Sequence, residues 1–194
     1  MEKLRIVQGS TLIQPVRWYV DPFVYKPISE VTSRAPLRFK VVGHGMPNGW
    51  KHEILSVQGM KEINSSETKA KTDYHIATVV DVDTIELNDV NASDWGAYVN
   101  NTGVVRYKTP ADLANKNITL YIWDKVDGTL LLTLSSTNND IDIDEAGHVI
   151  TINMSDDATA ALTWKKGVFA LKSEDTITGV VLEIVSGVVE VEIE

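Results

Sequence analysis

Apolar and polar residues alternate most regularly in the last third of the chain. Ile118, Leu120 and Ile122 fall on one side of an extended segment, and Thr119, Tyr121 and Trp123 on the other. Ile141 and Ile143 repeat the pattern, as do Ile150, Ile152 and Met154. Val189, Val191 and Ile193 close the chain against Glu190, Glu192 and Glu194. A period of two marks a strand with one buried face. Many such strands with little helix imply an all-β sandwich or barrel.

The spacing of turn residues divides this region further. Strands are predicted at 117–124 and 129–134 around Asp127-Gly128, and at 140–144 and 148–154 around Glu145-Ala146-Gly147. Ser155, Asp156 and Asp157 before ATAALTW predict one short helix with a serine cap and acids in its first turn. Lys165-Lys166-Gly167 ends it, and strands at 168–173, 179–185 and 187–193 follow. Earlier in the chain, residues 4–20 predict one long strand or two short ones, and further strands fall at 37–42, 50–58, 74–80, 84–87 and 104–107. Pro22, Pro27 and Pro36 predict an irregular connection over 21–36. The segment 59–70 is polar and mobile in character, and 88–103 is an Asn-, Asp- and Gly-rich loop.

Composition narrows the function classes. The 194 residues suffice for one large or two small domains, and 43% hydrophobic with 23% charged residues is ordinary for a globular chain. No apolar run approaches the ~20 residues that span a bilayer, so no membrane insertion is expected. MEKLRIVQGS has no signal-peptide pattern, which implies a protein kept or assembled in a cytoplasm. With no cysteine, disulfides, thiolate zinc sites and cysteine nucleophiles are excluded. Residues 1–108 hold 13 Lys/Arg and 12 Asp/Glu, whereas residues 109–194 hold 5 and 15. Such an acidic C-terminal region repels nucleic acid; it serves solubility or docks on a basic partner.

Several motifs invite a chemical reading and fail it. Asp140, Asp142, Asp144 and Glu145 resemble the start of a calcium loop, but Glu145 stands where glycine is needed and Thr151 where glutamate is. Ile141 and Ile143 facing a core explain them better. Gly43-His44-Gly45 has no following Lys-Ser/Thr or helix, so it is no phosphate loop; its glycines fit a turn at positive φ. His44, His52, His75 and His148 lie on different elements, which argues against a shared metal site. No GxSxG motif anchors a hydrolase triad. No cofactor, metal site or catalytic residue is expected, and the chain reads as no enzyme. Trp18, Trp50, Trp95, Trp123 and Trp164 are core or interface anchors, or the elements of a sugar-stacking platform.

A family resemblance rests on ADLANKNITLYIWDKVDGTLLLTLSS (111–136), DATAALTWKKGVFALKSED (157–175) and VLEIVSGVVEVEIE (181–194). These segments resemble the C-terminal part of an immunoglobulin-like module of tailed-bacteriophage virion proteins, similar to the N-terminal domain of phage baseplate upper proteins. Asp124, Gly128, Ala160, Ala161, Trp164, Gly167, Phe169, Ser186 and Gly187 fall in the module's places, with a final hairpin around Ser186-Gly187. LRIVQGSTLIQPVRW (4–18) resembles the module's start. Between them, APLRFKVVGHGMPNGW (35–50), VQGMKEIN (57–64) and YHIATVVDVDTIELNDVN (74–91) resemble a small β-barrel of phage proteins. That barrel is similar to the first catalytic-cysteine half-domain of ubiquitin-activating enzymes; without cysteine, the similarity concerns the scaffold alone.

The resemblance implies an all-β chain: an immunoglobulin-like β-sandwich with one short helix (residues 1–29 and 108–194), interrupted by an inserted small β-barrel (30–107). It implies a non-enzymatic virion structural protein, an adaptor bridging tail, baseplate or fibre proteins, or else a capsid decoration protein. The expected partners are other virion proteins or a second copy, with no nucleic acid. Expected contact residues are Trp50, Trp95, Tyr98, Glu190 and Glu192, with loops 43–49 and 91–103 and the strand edges 4–8 or 188–193. The alternative from another class is a carbohydrate-binding module contacting the host surface, for which Trp50 and Trp95 would share one exposed face.

Overall fold

The structure, a computed structural model, describes residues 2–66 and 74–192. The expected polar stretch is therefore described only as far as Ser66, and Ile193 and Glu194 lie outside the described residues. The chain is all-β, with sixteen strands and one short helix among the described residues. It divides into two compact units, Met1–Trp18 with Asp112–Glu194, and Tyr19–Ala111.

The discontinuous unit is a β-sandwich. Strands β1 (Glu2–Val7), β11 (Lys116–Trp123), β12 (Leu130–Ser135), β15 (Lys166–Asp175) and β16 (Val181–Glu192) form one sheet in the order β1-β16-β15-β11-β12. Strands β2 (Leu12–Val16), β13 (Ile141–Asp144) and β14 (Val149–Met154) form the other, ordered β13-β14-β2. β1 runs parallel to β16, and all other pairs in the unit are antiparallel. Two sheets enclosing one apolar core make this unit a β-sandwich. The alternation explains the layering: Leu4, Ile6, Ile118, Leu120, Ile122, Leu171 and Val189 from one sheet meet Ile141, Ile150, Ile152 and Met154 from the other in one core. Helix α1 (Asp156–Ala160) is capped as expected, Ser155 Oγ accepting from Ala158 N–H at 3.1 Å.

Two details of this unit depart from expectation. Asp127-Gly128 closes the β11–β12 hairpin within a longer turn, in which Gly128 N–H donates to the Lys125 carbonyl and Asp127 takes the positive φ. Gly128 is needed for space, since a Cβ there would overlap the Asp124 carboxylate. The expected hairpin at Ser186-Gly187 is absent: β16 runs through both residues as one strand of 12 residues. Gly187 instead admits the neighbouring strand, because a Cβ would overlap the Glu2 carbonyl oxygen of β1.

The inserted unit holds two four-stranded sheets around one core. One is β3 (Tyr19–Pro27), β10 (Val104–Pro110), β6 (Lys51–Leu55) and β7 (His75–Ile76), in that order; the other is β4 (Glu30–Arg34), β5 (Leu37–Lys40), β9 (Thr84–Leu87) and β8 (Thr78–Asp81). The chain passes from sheet to sheet four times, at Ile28-Ser29, between β5 and β6, at Ala77, and between β9 and β10. The sheets stay separate, which corrects the expected barrel: none is closed. Trp50, Phe39, Leu37, Ile54, Met60, Ile85 and Leu87 fill the core.

The boundaries also move, from 29/30 and 107/108 to 18/19 and 111/112. The cause is β3, which the prolines seemed to forbid. It is an edge strand pairing only with β10, and the register shifts between Lys108 and Thr109, opposite Asp21-Pro22. An edge position and a bulge are where a sheet tolerates proline.

Candidate functional site

The residues expected to meet a partner are mostly committed within their own unit. Trp50 is 0% exposed; its Nε1–H donates to the Lys108 carbonyl at 2.8 Å and its ring lies 4.5 Å from that of Tyr19. It is a core residue, set just before β6 begins at Lys51, and it takes no part in a surface platform. Trp95 is half-buried and packs on the same core. The Tyr98 hydroxyl donates to the Thr102 carbonyl at 2.7 Å, and its burial pushes its pKa up.

The two loops are likewise tied down. Arg34 donates to the carbonyls of Ala92 and Trp95, and Val99 N–H to Gln58 O at 3.1 Å, which holds loop 91–103. In loop 43–49, glycines 43, 45 and 49 have positive φ, and His44 and Met46 point inward. His44 Nδ1 accepts from Met46 N–H at 3.0 Å, so Nε2–H donates to the Asp81 carbonyl at 2.9 Å. That histidine closes a turn and presents no ligand outward.

His52 is the polar anomaly. It is fully buried, its Nε2 has no hydrogen-bond partner, and its ring centroid lies 5.9 Å from that of His75. Burial above all, with His75 second, pushes its pKa down to about 3, so it is neutral at pH 7. Among the described residues, no group of three or more His, Cys, Asp or Glu is placed to hold a metal ion. Asp142 and Asp144 are exposed, while Ile141 is buried and Ile143 half-buried beneath them.

Glu190 and Glu192 belong to a charge ladder across β1 and β16. Lys3 Nζ lies 2.6 Å from Glu190, and Arg5 pairs with Glu192. The Lys3 hydrogen bond, then its charge, holds the Glu190 carboxyl below the usual range. Residues 188–192 are interior, between β1 and β15, so the expected edge at 188–193 is corrected; β1 is the edge. The charges are therefore spent first on holding β1 in register.

The outer face of the five-stranded sheet presents a different surface. The register places Leu130, Trp123, Val168 and Val188 in one cross-strand row, with Thr133, Tyr121 and Ala170 in the next. Tyr121 and Trp123 stack with centroids 5.6 Å apart and planes 20° apart, and Lys172 Nζ lies 5.9 Å from the Tyr121 ring. Leu130 is 50% exposed. Lys3, Arg5, Lys166, Glu190 and Glu192 border the rows. An aromatic pair with aliphatic neighbours and a charged margin is suited to bind protein. The signal lay in the sequence: the alternation of 118–123 puts two aromatics where the pattern wants polar residues. No protein-family model matches the chain, and neither does any curated protein.

Proposed function

We propose that this chain is a non-enzymatic structural protein of a tailed-phage virion, an adaptor that bridges neighbouring virion proteins. The observation that carries the reading is the Tyr121–Trp123 face, apolar in rows and charged at its margin. It gives the immunoglobulin-like sandwich a surface for a protein partner, the work implied by the resemblance to phage virion modules. Recognition rests on shape and on desolvating the two rings, with the Lys3–Glu190 and Arg5–Glu192 ladder steering the approach. The carbohydrate reading relied on Trp50 and Trp95 sharing an exposed face, and Trp50 is in the core.

The test is capture of virion proteins from disrupted particles of the parent phage by the full chain and by Trp123→Ala. Capture of defined virion proteins, weakened about tenfold or more by the substitution, is expected for a central aromatic contact. Capture of none, with tryptophan fluorescence quenched by host polysaccharide, would replace the adaptor reading with glycan binding.

A further inference from the structure

The four sheets leave eight edge strands among the described residues. Most are guarded. β1 carries Lys3 and Arg5, β2 Pro15, β3 Pro22 and Pro27, β4 Glu30 and Arg34, β8 Asp81, and β13 Asp142 and Asp144; β7 has two residues only. Charge, proline and shortness are how sheets keep edges from pairing with other chains. β12, LLLTLS, has no charge or proline and is six residues long; a bulge at Leu131 and the bonds of Asp140 to Ser135 leave Thr133 as its open position.

Its outward backbone groups follow from the register. Ser135 N–H donates to Asp140 Oδ2 at 3.2 Å, and the Ser135 carbonyl accepts from Asp140 N–H at 3.0 Å. Ser135 therefore turns its backbone away from Thr119, its partner on β11. Orientation alternates along an antiparallel ladder, so Thr133, two residues back, turns its N–H and C=O the same way. No described strand lies beyond them. Thr133 is exposed, and Leu130 adds apolar surface on the outer face.

We infer that β12 pairs antiparallel with β12 of a second copy of this chain, joining two five-stranded sheets about a two-fold axis. A two-fold sets each residue of the strand against the same short stretch of its mate, where like charges would repel. From Thr129 to Asn139 there is no charged residue, although this unit as a whole holds 16 Asp/Glu against 8 Lys/Arg. The charge-free stretch coincides with the open edge, and that coincidence selects a copy of itself as the occupant. The inference goes beyond the adaptor reading and stands without it.

Sedimentation velocity of the purified full chain, from micromolar to about 100 micromolar, tests it. Two variants accompany it. Thr133→Pro removes an outward N–H that β11 does not use, and Thr133→Lys sets like charges across the axis. The wild type is expected to pass from monomer to dimer, and both variants to stay monomeric about tenfold higher in concentration with unchanged melting. Should one variant fail to fold, the other decides. A wild type monomeric throughout, a dimer that persists in the variants, or aggregates without fixed stoichiometry would each overturn the pairing. No virion protein enters this experiment, so its failure leaves the adaptor reading untouched.

Discussion

The two units build their cores differently. In the sandwich, strands of up to 12 residues supply an aliphatic core in strict alternation, with Phe169 its one buried aromatic. In the inserted unit, β4 to β9 have two to five residues each, and much of the core comes from loops: Met46, Val57, Met60 and Ala92. Trp50 and Phe39 provide its bulk, and His44 and His52 are buried beside them. The sandwich thus rests on long hydrogen-bonded ladders, and the inserted unit on a few large side chains and side-chain bonds to loop backbone. A single lesion should be felt more in the second.

The sharpest way to break this comparison is Trp50→Ala. It empties the inserted core and strands the Lys108 carbonyl, and should cost about 3–5 kcal/mol. Native-state hydrogen exchange should report the loss at amides 37–41 and 84–87 and spare 118–123; equal loss in both would show that the units are not separate in stability. Gly187→Ala is the sandwich counterpart. The added methyl meets the Glu2 carbonyl and should cost about 1–3 kcal/mol, read as faster exchange of residues 2–7.

Acid should separate the units without any mutation. His52 is held neutral down to about pH 3, while its unfolded counterpart protonates near 6.5. Its contribution is therefore complete above pH 6.5 and is lost as the pH falls toward 3, amounting to about 2 kcal/mol by pH 5. His52→Leu should flatten this slope in urea denaturation. The sandwich carboxylates behave otherwise: Glu190 is held below 4.5, so its contribution persists to about pH 4.5 and is lost only below. A steep loss in the sandwich between pH 7 and 5 would contradict the contrast.

Smaller effects refine it. Ser155→Ala removes the α1 cap and should cost the sandwich about 1 kcal/mol, measured by thermal unfolding. Exchanging Lys3 and Glu190 for one another keeps the ion pair but inverts the pattern at the docking margin. A lysine at 190 also stands opposite Arg5 and Lys166, so stability should fall by about 0.2–1 kcal/mol while partner capture slows, and salt should reduce both changes.

The same contrast governs what could be read from the sequence. Period two located β11 to β14 within a residue or two, because one buried face over many residues leaves no other pattern. The Ser155 cap and the positive-φ glycines of 43–49 were equally legible, being local. Gly187 misled because a glycine that admits a passing strand looks like one that turns a chain. β3 was hidden because proline tolerance depends on an edge and a bulge, which are tertiary facts. Trp50 looked like a contact residue because a loop-rich core has no periodicity to announce burial. The Tyr121–Trp123 pair was visible as an aromatic interruption of a polar face; that Val168, Val188 and Leu130 complete its rows required the register.

The central claim is that this β scaffold works by docking on protein. Light scattering behind a sizing column, on the full chain alone and mixed with virion proteins of the tailed phage proposed as its source, tests it most directly. The account predicts a defined complex of fixed mass when partners are added. A chain whose mass is unchanged in their presence would contradict it.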